Sequence, residues 1–206
     1  ELIKQIVKET KNIRFSGNGY SDEWKTEAKK RGLPILNTTP DALEVFKDKK
    51  AVQFLVDTNV LTSEEIASRY HIAVERYVKT LEIEHLSLIE LAQTYVIPAV
   101  EKQIRNVSAA HDMMVSKSTA KLHENRLNTL DKVFGSILSE LEKFETLVEK
   151  SQKIHDEEKR MWDIMENIQP ASFKLRAACD EAEKIVADEL WPLPKYREIL
   201  LANTLA

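Results

Sequence analysis

Gly17-Asn18-Gly19, Glu82-Ile83-Glu84-His85 and Cys179 are where residue type and spacing in this 206-residue chain could do chemistry. Two glycines two apart open a dinucleotide-binding fingerprint. That fingerprint needs a third glycine three residues on, after a strand, so that backbone can approach a pyrophosphate. Position 22 is instead Asp, an acid where phosphate needs room, and no Gly-Lys-Ser/Thr follows. Asn-Gly is also a turn pair, because both residues tolerate positive φ, and a structural turn is the reading taken. Glu82 and His85 have the Glu-x-x-His spacing that carboxylate di-metal bundles use twice, with further glutamates from other helices. His71, His111, His123 and His155 bring no second copy of it, so an exposed or hydrogen-bonded histidine is expected. Cys179 follows Ala178 on an apolar helical stretch and reads as a buried small hydrophobe. No Gly-x-Ser-x-Gly nucleophile elbow is present. No catalytic, cofactor-binding or metal-ligating residue is expected within the chain.

The elements that would position these residues are helical. Ser21 precedes DEWKTEAKKRG, with acids in its first turn, bases in its last, and Gly32 then Pro34 as a stop. In NTTPDALEVF, Thr39 is read as the cap and Pro40 as the first helical residue. Thr62 and Glu65 make a capping box. Beyond it, periodicity predicts four helices, roughly over 63–80, 83–116, 119–155 and 157–189. Leu127, Leu130, Phe134, Ile137, Leu141, Phe144 and Val148 alternate steps of three and four. So do Met161, Ile164, Ile168, Ala171, Leu175, Ala178, Ala182 and Ile185. Each set is one seam of a bundle. LSLIELAQTYVIPAV is apolar over more than one face, which predicts the most buried helix. Pro98 and Pro170 should kink their helices, at similar heights if those helices run parallel. HDEEKR and KDKK read as solvated faces or helix ends. In LWPLPKYREILLAN, Pro192 and Pro194 fix an extended path between Trp191 and Tyr196, whose rings should pack on a surface.

The fold class expected is mainly α: an elongated antiparallel four-helix bundle with proline-kinked helices, preceded by a short mixed, mostly helical segment. Apolar residues are 43% of the chain, enough for a core, and three of its four glycines fall in the first 32 residues. Charged residues are 31% and the net charge is −4, which argues against a nucleic-acid partner. No run of 18 apolar residues opens a route into a membrane. A single cysteine cannot form an internal disulfide, and a reducing, cytoplasmic setting is expected. Residue 1 is Glu, and ELIKQIVKETKN reads as a helix already under way, with Leu2, Ile3, Ile6 and Val7 on one face. A piece of a longer protein is therefore expected.

Five segments carry a resemblance. RFSGNGYSDEWKTEAKKRGL, TTPDAL, SRYHIAVERYVKTLEIEHLSLIELA, VIPAVEKQI and LWPLPKYREIL resemble, in order and spacing, landmarks of the C-terminal part of type III glutamine synthetase. Coverage is essentially the whole chain, weakest over residues 108–165. The chain departs from the pattern at Ser16, where the family has asparagine; the turn stays intact. The resemblance implies a large cytoplasmic ligase that joins ammonia to glutamate with ATP and a divalent metal, Mg or Mn. It implies hexameric rings stacked in pairs, with active sites at subunit boundaries. The glutamates and arginines of that chemistry would lie upstream of Glu1, so no catalytic role is carried to any residue here.

On this reading residues 1–60 are the end of the catalytic domain and a connecting segment. Residues 61–206 are a C-terminal helical bundle with an extended Trp-Pro-x-Pro-x-Tyr tail. The partners implied are the upstream catalytic domain and like subunits of a ring-shaped homo-oligomer. Structural or interface candidates are Gly17, Asn18, Gly19, Pro98, Pro170, Trp191, Pro192, Pro194 and Tyr196. A free-standing helical-bundle interaction module is the alternative, and a small helical enzyme or metal carrier a third reading.

Overall fold

Capping and glycine chemistry set the first elements. A computed structural model describes residues 1–201; the last five residues of the expected bundle domain, 202–206, lie outside the described residues. Helix α1, Leu2–Glu9, leads through a 3-10 turn into an extended stretch and α2, Asp22–Lys30. The Ser21 hydroxyl accepts from Trp24 N–H at 3.3 Å and caps α2. Gly32, at φ +71°, ends it. Leu33 N–H reaches Ala28 C=O (2.9 Å) and Gly32 N–H reaches Lys29 C=O (3.1 Å), the paired bonds of a Schellman stop. Helix α3, Thr39–Leu43, is capped by Thr38 rather than Thr39. Thr38 has Asp41 three residues on. Its hydroxyl accepts from Asp41 N–H (3.2 Å) and donates to the Asp41 carboxylate (2.6 Å). Thr39 would face Ala42, which can return nothing. Helix α4, Lys49–Asp57, follows.

The bundle is built on long rods. The first runs through α5, Ser63–Leu91, a π-helical turn, Ala92–Val96, and α6, Ile97–Asp112. The capping box is formed: Glu65 N–H donates to Thr62 Oγ1 (3.1 Å) and Thr62 N–H to Glu65 Oε2 (2.7 Å). The break expected between residues 80 and 83 is absent, because Val78, Leu81 and His85 keep one buried face continuous through it. The second rod is α7, Lys117–Gln152. The third is α8, Glu157–Asp163, a second π turn, Ile164–Ile168, and α9, Gln169–Ile185. No strand occurs among the described residues.

Both seams read from the sequence line the core. Leu130, Ile137, Phe144, Met161, Ile164 and Leu175 are essentially sealed from solvent. The helix expected to be most buried is instead one-sided. Ala92, Val96, Ala99 and Val100 face in, while Leu86, Leu91 and Tyr95 stay 38–45% exposed.

Each π turn ends two residues before a proline, and the residue between them makes its closing bond. Ile97 N–H bonds Ala92 C=O and Gln169 N–H bonds Ile164 C=O, one residue wider than an α turn. The wider turn gives Pro98 and Pro170 room, because a proline ring would otherwise press on the carbonyl four residues back. The two breaks do not lie level. Ala92 and Val96 share a groove with Cys179 and Glu183, whereas Pro170 shares one with Arg76, Tyr77 and Thr80.

Candidate functional site

Residues 1–36 carry several exposed apolar side chains. Leu2, Ile3, Ile6 and Val7 on the single face of α1 are 45–77% exposed, and Ile13 and Tyr20 are 74% and 95% exposed. An amphipathic helix earns its stability by burying that face, and none of α1's residues is buried. This stretch is nonetheless ordered by its own contacts. Arg31 ion-pairs with Glu27 (2.7 Å) and donates to Arg14 C=O (3.1 Å), and Arg14 reaches back to Val7 C=O.

The glycine turn proves to be an Asx turn. Tyr20 N–H donates to Asn18 Oδ1 (3.0 Å), and Ser21 N–H and hydroxyl both donate to Asn18 C=O (3.1 and 2.8 Å). Positive φ is not used: among the glycines only Gly32 has it. The constraint on Gly17 is steric. A Cβ there would sit 2.7 Å from two atoms of the Phe15 ring, and that ring packs on Trp24 with centroids 4.8 Å apart. The turn therefore shapes an aromatic contact, with no anion cradle.

Residues 40–47 are bolted to the long helices. Leu43 and Pro40 are buried, and Phe46 packs on the core. Lys47 Nζ lies 2.6 Å from the Glu158 carboxylate and 3.2 Å from that of Glu44, over the face of Tyr70. Tyr70 O–H donates to Glu44 (3.3 Å), and burial pushes its phenol up to about 12. The Lys47 ammonium holds the Glu158 carboxyl below its ordinary range. Higher up, Arg160 Nη2 meets Glu82 Oε1 at 2.8 Å, with the two side chains only 12% and 21% exposed. KDKK and HDEEKR are thus more than solvated faces, since Lys47, Glu158 and Arg160 each reach another element.

Glu82 is consequently committed to Arg160. His85 is 4% exposed and stands edge-on to Phe144, centroids 5.5 Å apart, with Nε2 unpartnered. Burial lowers its pKa. The two ends of the Glu-x-x-His spacing therefore serve different neighbours. Among the described residues no group of three His, Cys, Asp or Glu side chains could hold a metal ion. Cys179 is buried, and burial pushes its thiol up to about 11, away from a reactive thiolate.

The tail folds back on α9. Trp191 is 8% exposed and joins the core beside Leu193. Pro192 and Pro194 lie on the outside of this turn. Helix α10, Tyr196–Leu201, closes it. Arg176 donates to Tyr196 Oη (2.8 Å), which donates to Asp180 (3.3 Å). Lys195 Nζ reaches the carbonyls of Glu183 and Val186 and the Asp188 carboxylate (2.6 Å). Buried Gln103 of α6 accepts from Ala187 N–H (2.9 Å) and holds the exit of α9. Gln103 and Lys47 were invisible as fasteners in the sequence, because their partners lie 84 and 111 residues away.

The structure thus brings Trp191, Pro192, Pro194 and Tyr196 to one end of α9, and leaves Gly17–Gly19, Pro98 and Pro170 in separate places. No helix among the described residues is long and apolar enough to cross a membrane.

Comparison with known proteins is consistent with this organisation. The chain is 30% identical to the type-3 glutamine synthetase of Dictyostelium discoideum over 97% of its own length and 28% of that protein's. It is 30% identical to a glutamine synthetase of Butyrivibrio fibrisolvens, and 27% to one of Bacteroides fragilis (strain YCH46), over 98% of its length and 30% and 29% of theirs. It therefore spans under a third of the length of the curated relatives it matches. A family model described as the glutamine synthetase C-terminal domain matches residues 1–115, and on that match the chain belongs to this family.

Proposed function

We propose that this chain is the C-terminal helical portion of a type III glutamine synthetase, an ATP-dependent glutamate–ammonia ligase, and that its own role is structural. The catalytic residues, with the ATP and Mg or Mn sites, belong to the part of such an enzyme that this chain does not contain. Residues 1–60 are the end of the catalytic domain and its connecting segment, and residues 61–206 the helical bundle. The observation that carries the reading is the alignment of nearly the whole chain with under a third of each relative. The uncovered face of α1 supports it, as the surface that an upstream domain would bury.

The partners are that upstream domain and like subunits of a ring-shaped homo-oligomer, in the cytoplasm. Gly17, Asn18 and Gly19 shape the exit from the catalytic part. Pro98 and Pro170 set the bend of the bundle. Trp191, Pro192, Pro194 and Tyr196 hold its closing turn, Trp191 from within the core, and the exposed Pro192, Pro194 and Tyr196 sit at a contact surface. A glutamine-formation assay with glutamate, ammonia, ATP and Mg tests this on the native polypeptide and on the isolated 206-residue chain. Product from the first alone is expected. Product from the isolated chain, or from neither, overturns the reading.

A further inference from the structure

The folded-back tail encloses, with the first π turn and α9, a groove of about 330 Å³. Ala92 and Val96 of that turn and Cys179 of α9 line it together with Leu193, Tyr196 and Ile199 of the tail. We propose that residues 192–201 are a latch: they open as a unit while the three rods and Trp191 stay folded, and each opening gives small reagents access to the Cys179 thiol. The occupant of the groove is thus the chain's own tail, and the device does not depend on the ligase reading.

The way the tail is held sets where it parts. Trp191 is buried and belongs to the core, and beyond it Leu193 packs against that core. Helix α10 has six residues, none of them buried, and Ile199 and Leu200 are exposed. A helix this short has no stability of its own. Its fastenings are polar. Lys195 Nζ donates to the carbonyls of Glu183 and Val186 at the end of α9 (3.1 and 3.3 Å) and pairs with Asp188 at 2.6 Å. Tyr196 N–H donates to Glu183 Oε1 (3.2 Å), and its hydroxyl joins Arg176 and Asp180. Arg197 pairs with Asp188. Asp188 and Arg197 are well exposed, and pairs in water contribute little. Lys195 is the exception: its side chain is only 11% exposed, so it is the main fastening. Parting at Pro192 therefore costs far less than unfolding the rods, as expected of a segment with few buried apolar contacts. Pro192 and Pro194 restrict the released segment, so little chain entropy is lost when it closes again. In the closed state burial keeps the Cys179 thiol protonated and shielded, which makes its reactivity a readout of opening.

The test adds N-ethylmaleimide, which takes up a thiol across its double bond with no leaving group, to the intact native protein. Mass spectrometry follows alkylation of the peptide containing Cys179. A slow alkylation is expected whose rate hardly changes with urea well below the unfolding midpoint, because opening the latch exposes little surface. The rate should rise at least ~10-fold in Lys195→Met, as loss of a half-buried charged hydrogen-bond donor predicts, and by a smaller factor in Tyr196→Phe. A rate that climbs with urea along the slope of global unfolding, measured by circular dichroism, overturns the proposal. So does a rate unchanged in Lys195→Met. Alkylation that appears only after the native assembly is dissociated also overturns it, since a neighbouring subunit would then be the cover.

Discussion

Removing the Arg160 side chain should destabilise the bundle by breaking a largely buried ion pair. Arg160 and Glu82 join α8 to α5 at 2.8 Å with 12% and 21% side-chain exposure. Losing one partner of a fully buried pair costs about 3–5 kcal/mol, because the other charge is left uncompensated. Two features reduce that here: Glu82 keeps some solvent, and Lys79 Nζ remains 3.6 Å away. An expected cost for Arg160→Met is thus about 2 kcal/mol, a fall in Tm of roughly 4–8 °C for a chain of this size. The pair is best read by a double-mutant cycle with Glu82→Gln, followed by scanning calorimetry. Glu82→Gln alone should cost less, and the double variant little more than Arg160→Met. The Arg160 hydrogen bond holds the Glu82 carboxyl below its reference value of 4.5. A depressed carboxyl pKa contributes stability that is present above the unfolded value and lost as pH falls through the folded one. The wild-type chain should therefore lose stability below about pH 4.5 more steeply than Glu82→Gln. Strict additivity of the two substitutions, with parallel pH curves, would refute the reasoning.

Gly17→Ala should push the Phe15 ring off Trp24 and cost about 1 kcal/mol, seen as a loss of near-ultraviolet circular dichroism with helix content unchanged. Trp191→Ala should cost about 3 kcal/mol by emptying a core position, whereas Tyr196→Phe, which removes only half-exposed hydrogen bonds, should cost under about 1 kcal/mol; urea midpoints compare the two. His85 is buried with a lowered pKa, so the unfolded chain binds its proton more readily. Stability should then fall as pH drops below about 6.5, and His85→Phe should flatten that limb in calorimetry between pH 7 and 5.

What could be read in advance was local. The Thr62–Glu65 box, the Ser21 cap and the Gly32 stop depend on residues within a turn of one another. The Leu127-to-Val148 and Met161-to-Ile185 seams follow from helical periodicity alone, with Leu127 and Ile185 at their ends only half-buried. Errors arose where a second element decides. The chain runs unbroken through residues 80–83 because Val78, Leu81 and His85 bury one continuous face against other helices, among them α7 through Phe144. Thr38 displaces Thr39 as the cap because Asp41 can return a bond to it. Each helix is interrupted at Pro98 and Pro170 as expected, through a π turn, but the two breaks lie at different heights, since the offset between the first and third rods is set by packing. Gly17 shows the same limit: a turn was legible, but the ring that requires the glycine comes from Phe15 and is held there by Trp24.

The central claim is that the chemistry lies outside this chain, in the same polypeptide. The intact mass of the native polypeptide carrying this sequence tests it most directly. The chain has a mass of 23.7 kDa and spans under a third of its relatives, so a mass more than three times larger is expected. A native mass near 23.7 kDa would contradict the account and leave the bundle as a free-standing interaction module.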